Sequence, residues 1–352
     1  MTKIFILLIL LYLSTFSFAQ RNSNFDFSGI TKFWEIADIL EHNQQPSEQM
    51  WNELFNTPGY RVLLKREFSR NFFKNNFSLV FMPSKRSALN KSLRSGRNRT
   101  YLQHYIKVRD NRIRIDEQER KIKYSNYSQT AINRTLKFLP QNHVNQLPPV
   151  SFIIFESNGR GSSPIVVDLA ATIEWNIVGF LAHEFHHWYR NRELKYRTYG
   201  VAPEDAAIIN TLSRIEAEGI ADQVDKIKWF TEASNSVSRY ARTFINDVGK
   251  TPYVIQKMDN YLTAITQDQN KKFTYSRKFQ NLLPELGHTT GYFMSSLILQ
   301  KFSRNDLVKC VGNPFRFIKL YDKAAIMSSG NYPGFSDKAL KMINELERKY
   351  KK

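Results

Sequence analysis

Near the middle of the chain, His183-Glu184-Phe185-His186-His187 combines residue types and a spacing suited to metal-assisted hydrolysis. Residues four apart on a helix share a face, so His183 and His187 can present two imidazoles to one ion. Glu184 lies one position further along and can reach a water on that ion without binding the ion itself. This H-E-x-x-H pattern predicts a catalytic zinc site with Glu184 as general base. We expect His186 to pack or to support a ligand rather than to bind.

A catalytic zinc needs a third protein ligand and an open fourth position. No third histidine follows at short spacing, but the next predicted helix carries an apolar stripe of Ile208, Leu212 and Ile215 that leads to Glu218 and Asp222. Carboxylates on an apolar face need a neutralising partner. Zinc would neutralise Glu218, and a histidine N–H would serve Asp222. The alternative is that both carboxylates form a solvated helix edge.

Glu216 is the other candidate for the third ligand. It points about 160° away from Glu218 on a regular helix, so only one of the two can bind the same ion. Gly219 follows Glu218 directly and would allow another helix to approach closely. We therefore favour Glu218.

These motifs together resemble the gluzincin zinc metallopeptidases, and the chain is similar to a bacterial family of zinc-dependent peptidases. The similarity rests on the H-E-F-H-H helix, on Glu218-Gly-Ile-Ala-Asp222 and on Gly291-Tyr292-Phe293-Met294, over about residues 150–300. It implies a zincin-like catalytic domain that hydrolyses peptide bonds with one zinc per chain. By the same resemblance the ligands are His183, His187 and Glu218, and Asp222 is the partner of His183.

Gluzincins also use a downstream tyrosine or histidine to stabilise the oxyanion, and the resemblance points here to Tyr292 first and His288 second. They lie four apart at a predicted helix start, although Tyr292 as an ordinary core aromatic is a serious alternative. The run Ile165–Asp168 precedes the motif helix, and in gluzincins such an edge strand pairs with an extended substrate. We expect Asp168 itself to be structural.

The N-terminus has the features of a secretory signal peptide. Lys3 precedes an apolar run over residues 4–13, and Ser17-Phe18-Ala19 provides small residues before a cut after Ala19. The run is shorter than a transmembrane helix needs, and no cysteine lies near the cut as a lipoprotein anchor requires. We expect a secreted or periplasmic protein without a transmembrane span in the mature chain. An uncleaved anchor is the alternative.

The composition excludes several classes of protein. Of 352 residues 42% are hydrophobic and 24% charged, and one is a cysteine, Cys310, so collagen-like, low-complexity and disulfide-stapled proteins are excluded. The net charge is +19, and residues 61–137 alone hold 20 Lys/Arg against 5 Asp/Glu. This segment either contacts an anionic envelope polymer or forms a plain solvated basic surface. We do not expect nucleic acid as the main ligand of an exported protein.

The pattern of apolar residues predicts a helix-rich α+β protein with a small sheet near its middle. We expect helices over 28–43, from a cap at Ser47, over 172–191, from 202 to about 229, and over 335–352. Residues 84–100 are the most loop-like stretch of the basic region. The β-type runs at 150–155 and 164–169 predict a hairpin or a pair of sheet strands. The predicted division is a signal peptide (1–19), a basic, mainly helical region (20–148) and a metallopeptidase domain (149–352).

Three functions fit these observations. The first is a secreted zinc metallopeptidase that hydrolyses peptide bonds. The second is a non-catalytic, envelope-associated polyanion-binding protein whose metal site is structural or vestigial. The third keeps the zinc chemistry but cleaves another bond, as in an amidase that acts on cell-wall peptides.

Overall fold

The structure is a computed structural model that describes residues 24–96, 98–141, 146–231 and 238–352. The predicted signal peptide lies outside these residues. Within them, no helix is both long and apolar enough to cross a membrane. Contacts group the described residues into two compact units, one of 24–131 with 146–181 and one of 132–141 with 182–352. The domain boundary after residue 148 stays a prediction.

The first unit contains the sheet and the N-terminal helices. The strands are β1 Phe25–Asp26, β2 Val150–Ile153, β3 Gly159–Arg160 and β4 Ile165–Asp168. The helices are α1 Ser28–Glu41, α2 Glu48–Phe55, α3 Pro58–Arg66, α4 Arg70–Phe81, α5 Arg86–Ser95, α6 Arg99–Asp110, α7 Arg112–Lys123 and α8 Tyr127–Thr135, the last of which crosses into the second unit. Short 3-10 turns occur at Pro83–Lys85 and Ala171–Ile173.

Local sequence explains most of these elements. The predicted cap at Ser47 is confirmed, because its hydroxyl accepts a hydrogen bond from the Met50 amide at 3.2 Å. The loop predicted at residues 84–100 is wrong, since α5 and the start of α6 occupy most of it. Helix α5 forms because Leu89 is buried, and a left-handed Gly96 (φ 76°) ends it. One buried leucine among polar residues gives too weak a periodicity to predict a helix.

The four strands form one small mixed sheet in the order β1-β2-β4-β3. Strand β2 runs parallel to both β1 and β4, with Val150 opposite Ile165, whereas β3 is antiparallel to β4. The helix-rich α+β class is therefore confirmed. Of the two alternatives for the long β-type runs, the pair of sheet strands is confirmed and the hairpin is wrong. Strand β4 pairs on both sides, so its predicted edge position is also wrong. Both β2 and β4 are buried throughout, as parallel strands usually are.

Asp168, at the end of β4, has the structural role expected for it. Its buried carboxylate accepts hydrogen bonds from the Phe155 amide at 2.8 Å and the Ala171 amide at 3.0 Å. The His104 Nε2 lies 2.9 Å from the same carboxylate. These contacts hold the segments that follow β2 and β4 in place.

The second unit is helical among its described residues. Its helices are α9 Ile177–Arg190, which begins in the first unit, α10 Pro203–Asp225, α11 Ile227–Thr231, α12 Arg239–Val248, α13 Thr251–Gln267, α14 Lys272–Gln280, α15 His288–Lys301, α16 Arg304–Val308, α17 Pro314–Ile326 and α18 Asp337–Tyr350. Three 3-10 turns lie at Leu136–Phe138, Gln269–Lys271 and Pro284–Gly287. The predicted C-terminal helix is confirmed, and α9 begins later than predicted because a 3-10 turn precedes it.

Helices α10 and α15 cross in the core of this unit at two glycines. A Cβ atom on Gly219 would overlap the Gly291 carbonyl, and a Cβ on Gly291 would overlap the Ile215 carbonyl. The backbones therefore touch, as expected for Gly219. This crossing places Glu218 of α10 close to the first turn of α15, which starts at His288.

Candidate metal centre

Helix α9 carries the H-E-x-x-H residues, and the spacing has the predicted effect. The imidazoles of His183 and His187 lie on one face, with their ring centroids 4.6 Å apart and their Nε2 atoms 2.9 Å apart. Both side chains are largely buried, with 7% and 14% of their surface exposed. Two ring nitrogens that face each other at this distance are arranged to share a positive ion or a proton.

Glu218 of α10 completes a triangle of ligand atoms. Its Oε2 lies 3.2 Å from Nε2 of His183 and 3.1 Å from Nε2 of His187. The two ligands of a tetrahedral zinc with bonds of about 2.0–2.1 Å are separated by about 3.3 Å. The three observed separations are slightly shorter than this value and close to equal. The donor set and its spacing therefore fit three ligands of a tetrahedral zinc ion.

The other nitrogen of His183 faces two carboxylates. Nδ1 lies 3.3 Å from Asp225 Oδ1 and 3.4 Å from Asp222 Oδ1. A proton on Nδ1 directed at these oxygens leaves Nε2 unprotonated, which is the tautomer that a metal requires. Asp222 thus lies where the resemblance expects the partner of His183, and Asp225 shares this role.

Charged neighbours make this region favourable for a cation. Burial and Lys226 oppose a charge on His183, yet Asp225 and Glu218 raise its pKa well above the usual value. Burial also disfavours the charge on Glu218, but His187, His183 and nearby His288 lower its pKa well below the usual range. Glu218 is therefore ionised, and positive charge on the adjacent imidazoles is stabilised.

Lys226 is a buried cation within this cluster. Its Nζ lies 2.5 Å from Asp222 Oδ1 and 3.1 Å from Asp225 Oδ2. Burial lowers the pKa of Lys226, but Asp222 and Asp225 raise it by a larger amount. The pKa is therefore above its usual value, and the ammonium group stays charged. Asp222 also lies 3.0 Å from Nδ1 of His288, which brings the start of α15 into the same network.

A second, overlapping group could hold a metal, comprising His183, Glu218, Asp222 and His288. The Lys226 ammonium at Asp222 disfavours a cation there by charge repulsion. His183 and Glu218 belong to both groups, whereas His187 belongs to the expected ligand set alone.

Glu216 lies in a different environment from Glu218, as their helical spacing indicates. It is fully buried and pairs with Arg190, whose Nε donates to Glu216 Oε2 at 3.0 Å. Its other oxygen accepts a hydrogen bond from the Gly312 amide at 2.9 Å. Glu216 is therefore a structural anchor in the core of the second unit.

Two further residues of the motif have different surroundings. Glu184 is half-buried, and its Oε2 atom is buried without a hydrogen-bond partner among the described residues. A carboxylate oxygen in that state is available to accept a proton. His186 is fully buried with Nε2 3.3 Å from the Phe138 carbonyl, and burial together with His187 and His183 lowers its pKa well below the usual value. It is a neutral packing residue, as expected.

The structure brings His288 into the cluster but places Tyr292 among aromatic side chains. The ring of His288 stacks near that of His183, with centroids 5.5 Å apart. The Tyr292 ring stacks on Phe230 at 4.4 Å and meets Phe244 edge-on at 5.9 Å. Burial raises the pKa of Tyr292 to about 12. Of the two oxyanion candidates, His288 is thus the one with observed contacts to the predicted metal residues.

A strained turn positions His288. Glu285 and Leu286 have φ values of 49° and 55°, and Gly287 has a φ of 105°. Left-handed conformations at residues other than glycine cost energy and persist where the surroundings demand them. Here the turn ends the preceding segment and starts α15 at His288, next to Asp222.

Sequence reasoning missed Asp225 and Lys226. Both follow Asp222 on α10, at i+3 and i+4, so helical spacing alone places them near the same face. The signal was therefore present in the sequence. It was obscured because a Lys beside an Asp is usually a surface pair.

Residues 51–330 match the family model described as "Putative zinc dependent peptidase (DUF5700)". No curated protein and no solved structure matches the chain.

Proposed function

The match covers well over half of the chain, so the protein belongs to this family of zinc-dependent peptidases, and from that premise we propose that it is a secreted metallopeptidase with a gluzincin-type site. His183, His187 and Glu218 would hold one zinc ion, and Glu184 would be the general base. The substrate is a peptide or a protein.

One observation carries this proposal: three ligand atoms from two helices converge. Nε2 of His183, Nε2 of His187 and Oε2 of Glu218 lie 2.9–3.2 Å from one another inside a largely buried cluster. Burial of two imidazoles and a carboxylate without a shared cation would cost free energy of desolvation. Asp222 and Asp225 behind His183 fix the tautomer that such binding needs.

Bound zinc would supply a Lewis acid that acidifies a water and polarises the scissile carbonyl. Glu184, with a buried oxygen that makes no hydrogen bond to the described residues, takes the proton of the attacking water and returns it to the leaving amine. His288 is the first candidate for holding the developing oxyanion. Burial lowers its pKa, but Asp222 and Glu218 raise it by more, and in the protonated ring Nδ1 donates to Asp222 while Nε2 can donate to the oxyanion. Tyr292, the first choice from the resemblance, becomes the second candidate because its ring stacks on Phe230.

Two alternatives share parts of this site. A zinc amidase would use the same residues on a cell-wall peptide, and a non-catalytic protein would keep the metal without turnover. Because a signal peptide is predicted, we also propose that the protein is exported and that cleavage occurs after Ala19. Intact mass of the protein purified from its native host would show whether residues 1–19 are removed.

The experiment measures zinc per chain together with hydrolysis for wild type, His187→Ala and the exposed control His42→Ala. We expect about one zinc in wild type and in the control, and none in His187→Ala. Hydrolysis of a broad peptide library should follow the zinc content. Peptidoglycan fragments form the second substrate arm, and cleavage restricted to them would favour the amidase. Full zinc content in His187→Ala would refute the assigned ligand set.

A further inference from the structure

The helical hairpin α5–α6 of the first unit has an unusual charge composition. Residues 68–109 contain ten Lys/Arg and no Asp or Glu. Much of this excess lies on residues 85–107, which include α5 and most of α6. Helix formation does not require the absence of acidic residues, because either helix could carry Asp or Glu on its solvent face without loss of packing.

The two helices present these cations to solvent. They are joined through Gly96 and Asn98, both left-handed, and they bury an apolar side that includes Leu89, Leu102 and Tyr105. The basic side chains lie away from this side. We define the basic face by six of them: Lys85, Arg86, Lys91, Arg94, Arg99 and Lys107.

The six cations of the basic face have no carboxylate within 4.0 Å in the part of the chain that the structure describes. Two other basic residues of this segment do have such partners: Lys74 lies 2.6 Å from Glu48 and Arg109 lies 2.9 Å from Asp110. Absence of acids therefore sets the basic face apart from its surroundings.

Spacing makes the charges act together. Lys91 and Arg94 are three residues apart on α5, and residues at this spacing are neighbours about 5–6 Å apart on the helix surface. This is within the screening length of about 8 Å at physiological salt, so these cations repel one another. A polyanion that spans several of them would relieve this repulsion and release counterions.

The uncharged side chains of the hairpin indicate which polyanion fits. Among the described residues between positions 83 and 110, no large hydrophobic side chain is exposed, so the face offers no group for insertion into a bilayer. Base stacking needs exposed aromatic rings, and Tyr105 is buried while Tyr101 packs edge-on against Phe72 at 5.0 Å. The exposed neutral residues include five hydroxyl and amide side chains: Ser87, Asn90, Ser95, Thr100 and Gln103.

We propose that the basic face binds an anionic polysaccharide. Arginine and lysine pair with its carboxylate, sulfate or phosphate groups, and the neighbouring hydroxyls and amides hydrogen-bond to its sugar hydroxyls. This surface would retain the protein on a glycan, independently of the reaction at the metal centre.

The test compares two triple variants with the same change in net charge. Arg86→Glu/Lys91→Glu/Arg99→Glu alters the basic face, and Lys338→Glu/Lys341→Glu/Arg348→Glu alters exposed positions on α18. Two of the three basic-face changes lie at helix N-termini, where a carboxylate is favourable, so the helices should persist. A third variant with glutamine at Arg86, Lys91 and Arg99 covers the case in which charge reversal disturbs folding.

Binding to polygalacturonate and to heparin is measured at about 0.15 M salt, with duplex DNA and anionic phospholipid vesicles as comparison ligands. We expect the basic-face reversal to weaken polysaccharide binding by about 10-fold or more, the glutamine variant by less, and the α18 control by under about 2-fold. Hydrolysis of a small peptide should be unchanged in all three. Equal losses in both triple reversals would overturn the proposal, and so would binding of DNA or vesicles without binding of either polysaccharide.

Discussion

Glu216 and Glu218 are two residues apart on one helix, and their contacts predict opposite consequences when each is changed to glutamine. Glu216 is fully buried and pairs with Arg190, of which 5% is exposed. Glu218 contacts the imidazoles of His183 and His187. A guanidinium cannot release its proton, whereas an imidazole can. Loss of the Glu216 charge therefore leaves the Arg190 guanidinium buried without its counter-charge. After loss of the Glu218 charge the imidazoles can release their protons, so no unpaired cation remains.

The magnitudes follow from these partners. Glu216→Gln leaves a buried guanidinium without its counter-charge, and breaking such a pair costs about 3–5 kcal/mol. For a chain of 352 residues, that corresponds to a fall in Tm of about 4–7 °C. Glu218→Gln keeps the volume and lets the histidines become neutral, so the metal-free protein should lose about 1 kcal/mol or less. Its zinc affinity should fall by more than the roughly 10–100-fold seen when supporting residues are changed.

The assay combines thermal unfolding in the presence of a chelator with zinc titration of each folded variant. Glu216→Gln should melt early and still bind one zinc per chain well below its Tm. Glu218→Gln should melt near wild type and bind zinc weakly. The reverse pattern, with zinc lost in Glu216→Gln and kept in Glu218→Gln, would show that the third ligand is misassigned.

Three other predictions concern stability and access. Burial raises the pKa of Asp205, but Lys272 and Lys349 lower it by more, so its pKa is below the usual value. The stability that the Asp205 carboxylate contributes is therefore complete above about pH 4 and is lost as the pH falls below that value. Urea unfolding of wild type and Asp205→Asn should therefore differ at pH 7 and converge in acid; a difference independent of pH would contradict this. Burial raises the pKa of Cys310 to about 12, so iodoacetamide at pH 8 should label it only after unfolding, and labelling of the native protein at the rate of a free thiol would refute that burial. Gly291→Ala introduces a methyl group that overlaps the α10 backbone, and we expect a loss of about 1–3 kcal/mol together with weaker zinc binding; unchanged stability would show that the helix crossing is not tight.

The candidate metal ligands could be predicted from the sequence because their spacing follows the period of a single helix. His183 and His187 share a helix face at i and i+4, and the apolar stripe of α10 directs Glu218 toward the same interior. These relations depend only on the geometry of one helix at a time. Helix geometry allows only one of Glu216 and Glu218 to bind, and Gly219 beside Glu218 favours Glu218. The pair with Arg190 gives Glu216 a separate role.

Features that depend on distant parts of the chain were harder to predict. The parallel pairing of β2 and β4 is set by packing, and two β-type runs close in sequence fit a hairpin equally well. Tyr292 lies one turn after His288, but whether its ring faces the cluster or Phe230 depends on where α11 packs. Lys226 resembled a surface lysine because its burial arises only when α10 and its neighbours assemble.

The central claim is that Glu184 performs proton transfer next to a zinc ion that it does not bind. The most direct test measures zinc content and peptide hydrolysis of the Glu184→Gln variant beside wild type. Glutamine has nearly the same shape, and the buried Oε2 has no hydrogen-bond partner among the described residues to lose, so the fold should persist. We expect about one zinc per chain and a rate lowered by about 10²–10⁴-fold or more. Full zinc content with undiminished hydrolysis would contradict the account.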